Sequence, residues 1–234
     1  MQEKRPPLWM IKKTITMLRS HTTTQLIAKE GWSYVGFFFV LFLLAYFFEC
    51  GSWLFLFLFL LSAFVFRNFE RIPAEDDKMS VLAPIDGKIT NISKVVLKDK
   101  TEFLKVEIRK NILDASILRS PASVSFNKTR MIHGLFVDVD HSVSKKLNER
   151  AVLSFVSSFG MIIMIVNSGF FARKIDLFKT IGRLKFAERL GVLIDGKVEL
   201  LLPLSVRIKV NLGDKVKAGE SVLGYFSSKV SSHE

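Results

Sequence analysis

The sequence predicts a mainly β domain preceded by an α-helical hairpin. From residue 67 onward, short runs rich in β-branched and aromatic residues are separated by Gly, Asn, Asp or Pro, and several of them alternate apolar and polar positions. Residues 31–66, in contrast, contain no Lys or Arg, a single acid (Glu49) and 11 of the chain's 22 Phe. The 234 residues therefore divide into a basic N-terminal segment (1–30), a hydrophobic membrane hairpin (31–66), a β domain (67–226) and a tail (227–234).

The apolar run 31–66 is too long for one straight transmembrane helix. Thirty-six helical residues would measure roughly 54 Å, whereas the hydrocarbon core of a bilayer is about 30 Å thick. Residues 49–52, Glu-Cys-Gly-Ser, supply a break that predicts two helices, either spanning the membrane or re-entering one leaflet. Basic residues flank both ends of the run, so we expect both ends on the cytoplasmic side.

The β domain contains strands that the pattern of residues locates individually. Strands are predicted at 87–96, 103–108, 151–156 and 161–166, with a hairpin turn at 157–160. A further strand pair is predicted at 198–202 and 206–210, on either side of residues 203–205, and residues 211–214 should form a turn.

The net charge and the single cysteine indicate which kinds of molecule this chain can bind and which covalent or metal cross-links it lacks. The chain carries a formal charge of +12, of which about +9 belongs to residues 67–234. Near a membrane this excess favours anionic phospholipid headgroups. We expect no nucleic-acid partner, because neither an aromatic-basic strand motif nor a recognition helix is present. Cys50 is the only cysteine, so no intrachain disulfide forms, and no His/Glu spacing indicates a metal site.

Several short motifs follow one another in a recognisable order along residues 26–226. They lie at 66–73, 83–88, 148–150, 168–174, 188–191 and 219–220. This ordered set resembles the short bacterial type of phosphatidylserine decarboxylase proenzyme. The resemblance implies a β-rich fold with biotinyl/lipoyl-like hairpin elements, a role in phospholipid biosynthesis that yields phosphatidylethanolamine, and a position on the cytoplasmic face of the bacterial inner membrane.

The segment that resembles the family's self-cleavage site lacks its serine. The family has a Gly-Ser pair, then a basic residue and a strand ending in Leu-Pro, and that serine becomes the pyruvoyl cofactor. Here Gly196 is followed directly by Lys197. Either the serine is deleted between them, or Gly196 stands in its place. Neither alignment leaves a hydroxyl to attack the preceding carbonyl, so we expect no pyruvoyl group.

The resemblance also implies a relay of Asp and His that supports self-cleavage. Asp86 matches the relay Asp, and Asp114, Arg119 and Pro121 mark the family's histidine motif. Ser116 stands at the histidine position, and a serine hydroxyl does not serve as a base near neutral pH. Nucleophile and base are therefore absent together, which predicts a catalytically silent protein.

Two functional hypotheses stay open at this stage. The first is an unprocessed, silent relative that binds anionic phospholipid, with Arg119, Arg173 and Lys174 as candidate lipid-binding residues and with a homo-oligomer or an intact paralogue as possible partners. The second is an active decarboxylase with a non-standard site, for which Ser168 and Ser205 are candidate hydroxyls.

Overall fold

A computed structural model describes most of the chain after its basic N-terminal segment. The described residues are 31–49, 51–65, 67, 77, 79–97, 100–141, 143–172, 174–178 and 182–227. The predictions for residues 1–30, Cys50, Arg173 and nearly all of the 227–234 tail fall outside them.

The apolar run forms two helices, α1 (Trp32–Phe47) and α2 (Ser52–Val65), that pack on each other, with the rings of Phe39 and Phe59 5.4 Å apart. The predicted break is confirmed, and within it Glu49 and Gly51 have left-handed backbones. The predicted membrane hairpin is wrong, because within the described residues neither helix combines the length and the apolar character that a membrane span requires. Helices of 16 and 14 residues measure roughly 24 and 21 Å, short of the hydrocarbon core of about 30 Å.

The predicted mainly β domain is confirmed, with fourteen strands and one short helix, α3 (Ser144–Leu147), in its described residues. The strands are β1 (Ser80–Leu82), β2 (Gly87–Val96), β3 (Glu102–Lys110), β4 (Ile117–Arg119), β5 (Val124–Ile132), β6 (Arg150–Ser157), β7 (Gly160–Ser168), β8 (Asp176–Leu177), β9 (Arg183–Leu184), β10 (Arg189–Val192), β11 (Gly196–Pro203), β12 (Val206–Ile208), β13 (Lys215–Val216) and β14 (Val222–Phe226).

The strands form three antiparallel sheets. The largest has eight strands in the order β13-β2-β3-β11-β7-β6-β5-β9, and two three-stranded sheets have the orders β1-β14-β12 and β4-β10-β8. Four neighbouring strands each place one residue in the same cross-strand row: Ile89, Ile108, Val198 and Val166. All four are buried in one apolar core. The central strand β11 is hydrogen-bonded on both sides, to β3 and β7, so the residues at its start are fixed by two neighbours.

Four of the predicted strands lie where the alternation placed them, and residues 157–160 join β6 and β7 as expected. The predicted pairing of 198–202 with 206–210 is wrong. Strand β11 lies in the large sheet, whereas β12 pairs with β14 in a small one. The turn at Pro203–Ser205 therefore carries the chain from one sheet to another instead of closing a hairpin.

Candidate active site

The candidate site is built around the loop 193–195, which follows β10, and Gly196, the first residue of β11. Arg109, the penultimate residue of β3, donates from Nη1 to the Asp195 carboxylate (2.7 Å) and to the Gly196 carbonyl oxygen (3.0 Å). The same nitrogen donates to the Lys110 carbonyl oxygen at 2.7 Å. The Asp195 side chain is 6% exposed and that of Arg109 is 17% exposed, so the ion pair is largely removed from water.

Lys110 holds the same loop from the core side of the sheet. Its side chain is fully buried, and Nζ donates to the carbonyl oxygens of Asn111 (2.7 Å), Asp114 (2.8 Å) and Ile194 (2.8 Å).

Burial lowers the pKa of Lys110 to about 8, and the nearby carboxylates of Asp114, Asp86 and Asp195 partly oppose this shift. Lys110 and Arg109, neighbours in one strand, therefore fix the start of β11 from the two faces of the sheet.

Gly196 has no room for a side chain. Its φ is 154°, and a Cβ built on it would lie 2.2 Å from the carbonyl oxygen of Asn167 on β7. Gly169 is restricted in the same way, because a Cβ there would lie 2.2 Å from Asp195 Oδ2. These two glycines let strand β7 and the following turn pack directly against residues 195 and 196.

Asp86 lies in the turn before β2 and is buried. Its Oδ1 accepts a hydrogen bond of 2.8 Å from the Ala218 backbone N–H. The adjacent Gly87 approaches the carbonyl oxygen of Arg109 so closely that a Cβ would lie 2.3 Å from it. The Asp-Gly pair thus has a structural role in this fold, and Asp86 also lines a cavity of about 610 Å³ at the edge of the large sheet.

Ser116 lies beside the same loop but is not poised as a base. Its backbone carbonyl oxygen accepts the Leu193 N–H at 2.8 Å. Position 116 therefore lies opposite Leu193, which is three residues before Gly196 in the chain. Its hydroxyl donates to the Val65 carbonyl oxygen at the end of α2, at 3.2 Å. Position 116, which the resemblance assigns to the relay histidine, therefore connects the helical pair to the β domain.

The three candidate lipid-binding residues lie in different surroundings. Arg119 is buried and donates from Nη1 to the Ala187 carbonyl oxygen at 3.1 Å. Lys174 is exposed, with its Nζ 3.2 Å from the carboxylate of Asp176. Arg173 lies outside the described residues. Their role in lipid binding stays a prediction.

The two alternative hydroxyls differ in burial. Ser168 is buried directly opposite Gly196 in the β7–β11 ladder, and its hydroxyl donates to the Glu149 carbonyl oxygen at 2.8 Å. Ser205 is exposed in the turn between β11 and β12. Neither has a described carboxylate or imidazole hydrogen-bonded to its hydroxyl, and the described residues contain no group of three or more His, Cys, Asp or Glu arranged to hold a metal ion.

Arg109, Lys110 and Asp195 are the site residues that sequence reasoning missed. One signal was available for Lys110: the alternation in β3 places it on the same face as Val106 and Ile108, where an apolar side chain is expected. The ion pair of Arg109 with Asp195 joins residues that are 86 positions apart in the sequence, so no local pattern indicates it.

Comparison with known proteins identifies the family. The family described as Phosphatidylserine decarboxylase matches residues 59–224. A protein named Phosphatidylserine decarboxylase proenzyme from Desulfotalea psychrophila is 32% identical over 206 residues, covering 85% of this chain and 95% of that relative. Proteins of the same name from Cupriavidus pinatubonensis and Syntrophus aciditrophicus are each 32% identical, over 85% and 86% of this chain and 94% and 97% of their own lengths. The chain therefore belongs to the phosphatidylserine decarboxylase family.

Proposed function

We propose that this chain remains one unprocessed polypeptide, forms no pyruvoyl group, and binds anionic phospholipid without decarboxylating it. Its family gives it a role in phospholipid metabolism. The proposed working place is the cytoplasmic face of the bacterial inner membrane, where the net positive charge of the β domain meets anionic headgroups.

The junction between Gly196 and Lys197 is the observation that carries the proposal. Self-cleavage needs a hydroxyl that attacks the carbonyl before it, and neither residue has one. A Cβ at position 196 would lie 2.2 Å from the Asn167 carbonyl oxygen, so the present backbone also has no room for a serine side chain directly before Lys197. Residues on each side of the junction are also held in register by both β3 and β7.

The residues at the relay positions support the same proposal, because their polar atoms have structural partners. The Ser116 hydroxyl donates to Val65, and an Asp86 oxygen accepts from Ala218. Because position 116 carries serine, a hydroxyl introduced directly before Lys197 would lack the histidine that the resemblance assigns as its base.

The test combines vesicle sedimentation with a decarboxylation assay on the full chain. The protein should sediment with vesicles of phosphatidylcholine and phosphatidylserine more than with phosphatidylcholine alone, and added salt should weaken the electrostatic part of this binding. Carboxyl-labelled phosphatidylserine in the same vesicles should release no labelled carbon dioxide.

Release of labelled carbon dioxide above a heat-denatured control would support the alternative, an active decarboxylase with a non-standard site. Ser168→Ala and Ser205→Ala would then identify the hydroxyl involved. Sedimentation that is indifferent to vesicle charge would contradict the lipid-binding half of the proposal.

A further inference from the structure

Two lysines face each other at one edge of the large sheet. Lys88 of β2 and Lys215 of β13 are direct cross-strand partners, and both are exposed. Like charges in directly opposed positions destabilise a β-ladder. Neither lysine has a hydrogen bond or an ion pair within the described part of the chain, so their mutual repulsion is not offset by a carboxylate.

The contrast with the next residues in the same cross-strand row makes this pair unusual. Arg109 and Lys197 continue the row across β3 and β11. Arg109 is paired with Asp195, and Lys197 Nζ lies 3.9 Å from carboxylate oxygens of Glu107 and Asp140. Acidic partners therefore lie beside Arg109 and Lys197, the inner half of the row. Lys88 and Lys215, the outer half, have none in the described part of the chain.

The lysine pair opens onto the cavity of about 610 Å³ that also contains Asp86. The charged residues lining this cavity are Arg67, Asp86, Lys88, Asp114, Lys215, Lys217 and Glu220. The three acids already have partners: Asp86 accepts from the Ala218 N–H, Asp114 from the Asn111 N–H, and Glu220 from Lys217 Nζ at 3.1 Å. Arg67 donates to the carbonyl oxygens of Phe64 and Leu113. Among the four cations of the described lining, Lys88 and Lys215 are therefore the two without a hydrogen bond or an ion pair.

The end of the Lys88 side chain lies beside the turn before β13. A Cβ built on Gly213 would lie 3.7 Å from Lys88 Cε. Asp214 fixes the turn, accepting the Asn211 N–H at its carboxylate and the Ile89 N–H at its carbonyl oxygen. The turn therefore limits the space open to the end of the Lys88 side chain on one side, which reduces the entropy lost when an anion binds.

We propose that this cavity binds a phosphate oxyanion between Lys88 and Lys215. The phosphate belongs either to a phospholipid headgroup or to a small soluble phosphate. Ammonium groups form strong charge-assisted hydrogen bonds with phosphate, and the volume lies within the range of about 300–1,000 Å³ typical of small-molecule sites. Only the lipid source of the phosphate rests on the proposed function, whereas the oxyanion site does not.

The first test measures soluble phosphates with the full chain. Inorganic phosphate and glycerophosphoserine are titrated by calorimetry into the wild-type protein and into Lys88→Gln/Lys215→Gln. Because two charged contacts are lost, the Kd of the tighter of the two compounds should rise by about tenfold or more in the double variant. The tighter compound also identifies the source: glycerophosphoserine indicates a headgroup site, and inorganic phosphate a small-anion site.

A matched control separates this site from general charge. Lys94→Gln/Lys128→Gln removes two exposed lysines elsewhere on the sheet and should leave the Kd unchanged. An equal loss in both double variants, or no binding of either compound to the wild type, would overturn the proposal.

A second variant tests the site in a protein that is expected to be at least as stable as the wild type. Lys215→Glu places an acid opposite Lys88, so the Tm without phosphate should be equal to or above that of the wild type, while the rise in Tm produced by phosphate should vanish. A persistent phosphate-induced rise in Tm would contradict the site. Vesicle sedimentation is a separate measurement. If phosphate binding depends on Lys88 and Lys215 but the protein does not sediment with vesicles, this site is upheld and the proposed function is refuted.

Discussion

Replacing Arg109 with methionine is expected to lower the free energy of unfolding by about 3–5 kcal/mol, the range for removing one partner of a buried ion pair. The variant Arg109→Met would leave the Asp195 carboxylate buried without its 2.7 Å partner, and the Gly196 carbonyl oxygen would lose a donor. Urea unfolding followed by circular dichroism measures the change. The start of β11 should loosen first, which hydrogen exchange of the residues around 196 would detect.

Two companion variants make this prediction specific. Arg130→Met, at an exposed position of β5, should change the free energy of unfolding by less than about 0.5 kcal/mol. Arg109→Met/Asp195→Asn should be less destabilised than the sum of its two single variants by about 1–3 kcal/mol, since the neutral amide no longer leaves a charge in the interior. Additive effects would show that Arg109 and Asp195 are not coupled.

Self-cleavage is expected to return only when both missing groups are restored. A serine inserted between Gly196 and Lys197 should leave the chain intact, because position 116 carries serine instead of the histidine that would act as its base. The same insertion combined with Ser116→His should produce a C-terminal fragment that begins at the inserted residue. Position 116 is suitably placed, since its carbonyl oxygen accepts the Leu193 N–H in the loop that leads to Gly196.

The structure also indicates how the inserted residue is accommodated. The insertion falls at the first residues of β11, next to the loop. Residues 197–203 keep their register only if the loop takes up the extra residue. The backbone beside Asn167 must then move, because a Cβ in the present place of Gly196 would lie 2.2 Å from the Asn167 carbonyl oxygen. Because Ser116 is buried, the histidine is expected to cost about 1–3 kcal/mol of stability. An inserted alanine with Ser116→His controls for this cost and should not cleave. Cleavage after the serine insertion alone would show that another group supplies the base.

The mainly β fold could be predicted because its signals are local. Alternation and turn residues located β2 and the β6–β7 hairpin closely. The pairing of β11 with β3 and β7 could not be predicted in this way, since it depends on contacts between residues that are far apart in sequence. The short segment 203–205 resembles a hairpin turn in composition, yet β11 and β12 belong to different sheets.

The helical region shows a different limit. The composition of residues 31–66 is typical of a membrane segment, but composition does not fix helix length, and the turn around Gly51 leaves two helices of 16 and 14 residues. At the site, the absence of a hydroxyl at 196–197 was readable from the sequence. The Arg109–Asp195 ion pair and the buried Lys110 were not, because their partners are set by the tertiary fold.

The intact mass of the full-length protein, purified without exposure to protease, tests the central claim most directly. The account predicts one chain of 26.7 kDa whose mass matches the unmodified sequence. Two chains separated near Gly196, with a pyruvoyl group at the N-terminus of the smaller one, would contradict it.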